Sequence, residues 1–85
     1  MIGNTKSNAA ETRLLSILSE IFEIPPEEIH EDLTPETVPN WDSLNALRII
    51  SDLEEAFQFS FTTEEASSIG SVGDIRKVLS RHGLL

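Results

Sequence analysis

The 85-residue chain has no cysteine, and cations are scarce: six Lys and Arg stand against 15 Asp and Glu, a formal charge of −9. Without cysteine there is no disulfide, no thiolate metal site and no thiol nucleophile. So few cations argue against the phosphate neutralisation by which nucleic acids are held, and against attraction to anionic membranes. The two histidines, His30 and His82, are far apart and lack ligand-spaced companions, so no metal site is expected. No run matches the acid-and-glycine spacing of a calcium loop. The N-terminus has no apolar core of a signal peptide, and no later segment is long and apolar enough to span a bilayer, which predicts a cytoplasmic protein.

With 39% apolar and 25% charged residues, the chain reads as one globular domain and not as a disordered segment. A domain of this size has a modest core and little room for a catalytic cleft. It suits a module handled by other proteins, not an enzyme. The acidic surface would steer partners that carry basic patches, although acidity also serves solubility alone.

Residues 1–8 are small and polar without periodicity and read as a flexible leader, with a helical domain over 9–85. From Ala9 to Phe22 the apolar residues Ala10, Leu14, Leu15, Ile17, Leu18, Ile21 and Phe22 fall on one helical face, and Pro25-Pro26 stops the helix. Pro25 to Trp41 is a long connection, read as an ordered loop pinned by Ile29, Leu33 and Val38, with one helical turn near Pro26–Ile29. A second helix is expected from Ser43 to Phe57, with Asp42 as N-cap and Ala46, Leu47, Ile49, Ile50, Leu53, Ala56 and Phe57 facing inward. "FQFSF" alternates like a strand but has no partner strand, so Phe59 and Phe61 are expected to insert into a helical core from an extended linker. Thr62 with Glu65 forms a capping box that opens a short helix to about Ser67, and Ser71 with Asp74 repeats it before a last helix to about His82, with Gly83 as C-cap. The expected fold is all-α: a small four-helix bundle of three main helices and one short one, with a long ordered loop between the first two.

At the start of the second helix, Leu44 falls with Arg48, Ser51 and Glu55 on the outer face, beside the accessible Ser43. The helix N-terminus offers amides and a positive dipole end to a phosphate on that hydroxyl. Serine is also a local choice at helix starts, and a single exposed leucine is ordinary, so spacing alone leaves the role of Ser43 open.

The Asp42-Ser43-Leu44 motif, the "LEEAF" helix end at Leu53 to Phe57, the "IPPEEIHEDLT" loop and the "TTEEASSIGSVGDI" segment together resemble the acyl carrier protein family, over about Arg13 to Leu79. The resemblance implies that Ser43 carries 4′-phosphopantetheine, covalently transferred from coenzyme A by a Mg²⁺-dependent phosphopantetheinyl transferase. The arm's thiol would then hold acyl intermediates as thioesters for fatty-acid, polyketide or related pathways, which fits a chain without cysteine. It implies Asp42 and Leu44 as the recognition motif. Leu44, Asn45, Arg48, Ser51, Glu54 and Glu55 would form a surface for loading and processing enzymes with basic docking patches, on a monomeric carrier with no catalytic residue of its own. Asn40-Trp41 replaces the glycine and small residue of the best-known fatty-acid carriers, and Asn45 and Arg48 stand where they place acids. The "WDSL" form is similar to stand-alone carriers of specialised pathways, with Trp41 read as a plug on the loop in preference to a cargo contact. Two other readings remain: an aminoacyl or peptidyl carrier, and an unmodified acidic helical adaptor. A hydrolase using Ser43 lacks both a nucleophile-elbow pattern and an evident histidine base.

Overall fold

A computed structural model describes the backbone of residues 5–85 and the side chains from residue 9 onward. Four helices follow one another: α1 over Thr5–Phe22, α2 over Ser43–Phe57, α3 over Thr63–Ser67 and α4 over Val72–Arg81, with no strand among the described residues. A single 3-10 turn at Pro26–Glu28 interrupts the long connection between α1 and α2, where the sequence predicted a helical turn.

The predicted start of α1 at Ala9 lies four residues inside the observed one. The apolar stripe marks the buried length of a helix, and Thr5 to Asn8 continue the backbone without contributing to that stripe. Of the expected leader, residues 1–4 lie outside the described residues. Leu14, Leu18, Ile21 and Phe22 of α1 are buried. The helix ends at Glu23, whose φ of 61° is left-handed and whose N–H donates to the Ser19 carbonyl at 2.8 Å. The Ser19 hydroxyl donates to the Ile24 carbonyl at 2.6 Å, turning the chain before the prolines.

The long loop is held from both ends. Ile29 and Val38 are buried and Leu33 is half-buried against the core, as the three anchors require. α4 supplies the other attachment. Its first two amides, free because a helix start has no preceding carbonyls, donate to the loop: Val72 to the Leu33 carbonyl at 3.0 Å and Gly73 to that of Glu31 at 3.1 Å. Arg76, one turn further on, bridges Glu11 of α1 at 2.7 Å and Glu31 of the loop at 3.3 Å. The Glu11 hydrogen bond, ahead of the charge of Glu31, raises the Arg76 pKa and so keeps the guanidinium charged.

In α2, Ile49 and Leu53 are buried and Asp42 caps the first turn as expected. Leu47 departs from the sequence reading: it is 68% exposed, not part of the inward face. It lies three residues from Leu44, one turn along the same side of the helix, and the five-residue α3 does not cover it. Phe59 and Phe61 occupy the predicted extended linker but are only half-buried; they pair with each other at 4.8 Å between ring centres.

The capping box opening α3 is complete: Glu65 N–H donates to Thr62 Oγ1 at 3.0 Å, and Thr62 N–H donates to Glu65 Oε1 at 2.9 Å. Its expected repeat at Ser71 is only half formed. Ser71 Oγ accepts from Asp74 N–H at 3.1 Å, while the Asp74 carboxylate accepts from Gly70 N–H at 2.8 Å instead of from the cap residue. α4 buries Val72, Ile75, Val78 and Leu79 and ends with Gly83 at φ 76°. There Gly83 N–H donates to Ser80 and Leu84 N–H to Leu79, the paired bonds that close a helix on a left-handed residue.

The Arg76 bridge makes a stability prediction. Arg76→Ala is expected to lower the unfolding free energy by about 1–2 kcal/mol, a value between an exposed ion pair and a half-buried charged hydrogen bond. Lys77→Ala, on the exposed side of the same helix, should change it by less than about 0.5 kcal/mol. Urea-denaturation midpoints read both.

Candidate functional site

The site is assembled where the loop becomes α2. Trp41 is 5% exposed and packs on Phe22, at the end of α1, with ring centres 5.0 Å apart and planes tilted by 33°. Its N–H donates to the Val38 carbonyl at 2.9 Å. Asn40 is held on two sides: its amide donates to the Phe22 carbonyl at 3.4 Å, and its own carbonyl accepts from the Asn45 side chain at 2.7 Å. Asp42 Oδ1 accepts from Asn45 N–H at 2.9 Å, and the Asp42 carbonyl accepts from Ala46 N–H at 2.8 Å. Ser43, the first helical residue, is exposed on a backbone whose neighbours on both sides are tied down. The plug role read for Trp41 agrees with this burial.

The residues expected to form one docking face do not all share it. Leu44 is 75% exposed, and with Leu47 it makes an apolar pair beside Ser43. Arg48, Ser51 and Glu55 are also exposed. Arg48 reaches back to Asp52, one turn on, at 3.5 Å. The other two acquire internal partners. Asn45 is half-buried and turned toward the loop through its bond to Asn40, and the Glu54 carboxylate accepts from Phe61 N–H at 2.9 Å, joining α2 to the linker before α3. The exposed face around Ser43 therefore combines the apolar pair with Asp42 and the Arg48–Asp52 ion pair, while further exposed acids gather on the loop at Glu27, Glu28, Glu31, Asp32 and Glu36.

Between α2 and α3 lies an apolar pocket of about 120 Å³, walled by Trp41, Ala46, Leu47, Ile49, Ile50, Ala66 and Ile69. Trp41 and the α2 residues were noticed in the sequence for other reasons. Ala66 and Ile69 were not, because α3 is too short to show a periodic apolar face. Small residues at 46 and 66, facing across two helices, are the one signal the sequence offered.

α3 is held by a polar clasp. His82 Nε2 lies 3.1 and 3.2 Å from the two Glu65 carboxylate oxygens, with the Arg81 guanidinium at 3.6 Å. The Phe59 ring meets the His82 ring edge-on at 5.0 Å. Glu65 thus caps α3 and ties it to the end of α4. The Thr62 N–H, followed by the hydrogen bond from His82, pulls the Glu65 pKa below its ordinary 4.5.

No protein-family model matches the chain. In sequence it is similar to the acyl carrier protein of Chlamydia trachomatis serovar L2, 29% identical over 72 residues that cover 85% of this chain and 94% of that protein. In fold it is similar to a solved structure from Mycobacterium tuberculosis, provisionally designated an acyl carrier protein, with a TM-score of 0.73 at 21% identity, covering 84% of this chain and 95% of that one. No described helix is long and apolar enough to cross a membrane, and no described cluster of His, Asp and Glu could hold a metal ion.

The clasp yields a pH prediction. A carboxylate with a depressed folded-state pKa stabilises fully above its unfolded value, and that stability is lost as pH falls through the folded value. The Glu65 contribution should therefore disappear on acidification from the ordinary 4.5 downward. Glu65→Gln keeps an acceptor oxygen but cannot titrate, so its melting temperature should fall less steeply than wild type over that acid range, as read by circular dichroism.

Proposed function

We propose that this chain, a member of the acyl carrier protein family, carries 4′-phosphopantetheine on the Ser43 hydroxyl and delivers acyl groups to partner enzymes in the cytoplasm. It is a carrier and not an enzyme. The observation that carries the reading is Ser43 itself: an exposed hydroxyl on the first residue of a 15-residue helix, directly after the cap Asp42 and beside the exposed Leu44.

The residues present fit the group. In a separate Mg²⁺-dependent transferase, Ser43 Oγ attacks the phosphorus of coenzyme A that bears the pantetheine. The serine O–P bond forms, the pyrophosphate bridge breaks, 3′,5′-adenosine bisphosphate leaves, and the serine proton passes to a base of the transferase. The attached arm supplies a thiol on which acyl groups travel as thioesters. Asp42 keeps the first turn formed by accepting the Asn45 N–H. The resulting helix end places partial positive charge beside the new phosphodiester. Asn40 and Asn45 lock the loop to the helix, so the hydroxyl is presented from a rigid position. The α2–α3 pocket offers mostly apolar walls to the acyl chain.

Leu44 and Leu47 supply the apolar contact a partner grips, Arg48, Ser51 and Glu55 its rim, and the acidic loop the long-range attraction to basic patches. The cation at 48 and the inward turn of Asn45 and Glu54 favour a specialised polyketide or lipid-modifying pathway over primary fatty-acid synthesis, whose carriers the resemblance describes as acidic along this helix.

Incubation with coenzyme A, Mg²⁺ and a broad-specificity phosphopantetheinyl transferase should add a single phosphopantetheine to wild type and none to Ser43→Ala, as read by intact-protein mass. No addition to wild type, where a control carrier is modified, would refute the reading. Leu44→Ala and Leu47→Ala should each slow that modification roughly fivefold, equivalent to about 1 kcal/mol of lost apolar contact, with the melting temperature unchanged.

A further inference from the structure

The pocket between α2 and α3 has walls of very different stiffness, and Trp41 forms the stiff one. Its indole is 5% exposed and backed by Phe22, itself 3% exposed, so nothing behind the ring can give way without opening the core. Its backbone is fixed by the bond to Val38 and by the Asn40–Asn45 lock on the preceding residue. The facing wall is Ala66 and Ile69, carried by a five-residue helix and the turn after it. The outer wall includes Leu47, which is 68% exposed and has no core packed behind it. A chain entering the pocket can thus displace α3 or Leu47 but meets a fixed floor at the indole.

We propose that Trp41 sets the depth of this pocket and restricts the acyl chain it takes up to short ones. The inference rests on the reading that Ser43 carries the acyl group, and it assigns to Trp41 a specificity-determining role beyond that of a loop plug. A volume of about 120 Å³ accommodates the first few carbons of an acyl chain. Longer chains have no path past the indole; they must push α3 aside, at the cost of its clasp, or run outward beside Leu47. There they meet water, and additional carbons contribute no further burial.

The test loads wild type, Trp41→Phe and Trp41→Leu with straight-chain acyl-phosphopantetheine from acetyl to dodecanoyl coenzyme A. Loading is verified by mass, and each melting temperature is compared with that of the same variant carrying the unacylated arm. This reference cancels the variant's own loss of stability. In wild type the melting temperature should rise to about the butanoyl or hexanoyl form and then stay level. In Trp41→Leu the rise should continue for about two further carbons, because the space left by the indole is only partly refilled by collapse. Trp41→Phe should extend it by about one, and it serves alone if the leucine variant fails to fold. The emission of the single tryptophan in wild type should shift with chain length and stop shifting at the same point.

A plateau at the same length in wild type and in the folded variants, with the acyl group verified on Ser43, would overturn the role of Trp41 while leaving the carrier reading intact. A wild-type rise that continues to dodecanoyl would do the same. No loading of wild type from any acyl coenzyme A would remove the carrier reading, and the inference with it.

Discussion

The Phe22–Trp41 ring pair is the contact on which the rest of the site depends. Phe22 closes α1 and Trp41 stands two residues before Ser43, so the pair brings the end of one helix against the start of the next across an 18-residue connection. Fixing the ends of such a connection costs chain entropy that its own turns do not repay. Burial of two large rings, with Ile29 and Val38 anchored between them, supplies the opposing term. The polar bonds around the pair then convert proximity into orientation. Asn40 touches the α1 carboxyl end with its amide and α2 with its carbonyl, and Asp42 completes the turn. The position of Ser43 thus follows from the core and not from the serine's own contacts.

Much of this architecture was legible in the sequence, because it rests on local chemistry. The bounds of α2 follow from an N-cap aspartate and an apolar stripe, the opening of α3 from Thr62 and Glu65, and the single turn in the loop from Pro25-Pro26. The features that escaped depend on what lies opposite. Leu47 was read as inward because apolar residues surround it on the wheel; whether such a residue is covered is decided by the length of α3, which the wheel does not contain. Asn45 was read as outward because it is polar, and Glu54 as a docking acid because the resemblance implies it, yet each finds a backbone partner on the neighbouring segment, and a half-buried position with a satisfied bond is as good a home as solvent. Asp74 fits the capping-box pattern but is one methylene shorter than Glu65, and it satisfies the Gly70 amide instead.

Charge is distributed in a way that separates attraction from contact. The formal charge of −9 acts over the Debye length and favours approach to basic surfaces from any direction. The side chains nearest Ser43 on the exposed face are Asp42, Leu44, Leu47 and the Arg48–Asp52 pair, while most of the other exposed acids lie on the loop and at Glu55. Charge at the rim governs how often partners meet, while the central apolar pair governs how long they stay. Selectivity on this face can therefore lie in the few side chains beside Ser43, where Arg48 weakens attraction to a basic patch to the extent that Asp52 leaves it uncompensated.

The same division appears inside the molecule. α1, α2 and α4 share a core of fully buried Leu14, Leu18, Leu53, Ile75 and Leu79, and separating them exposes that core to water. α3 contributes no fully buried residue; it is held by a capping box and a carboxylate clasp near the surface, interactions that water competes for. Local opening should therefore begin at α3 and leave the other helices in place. The element beside the pocket is thus the one that can move at least cost, while Trp41 and the neighbouring Ser43 belong to the part that cannot.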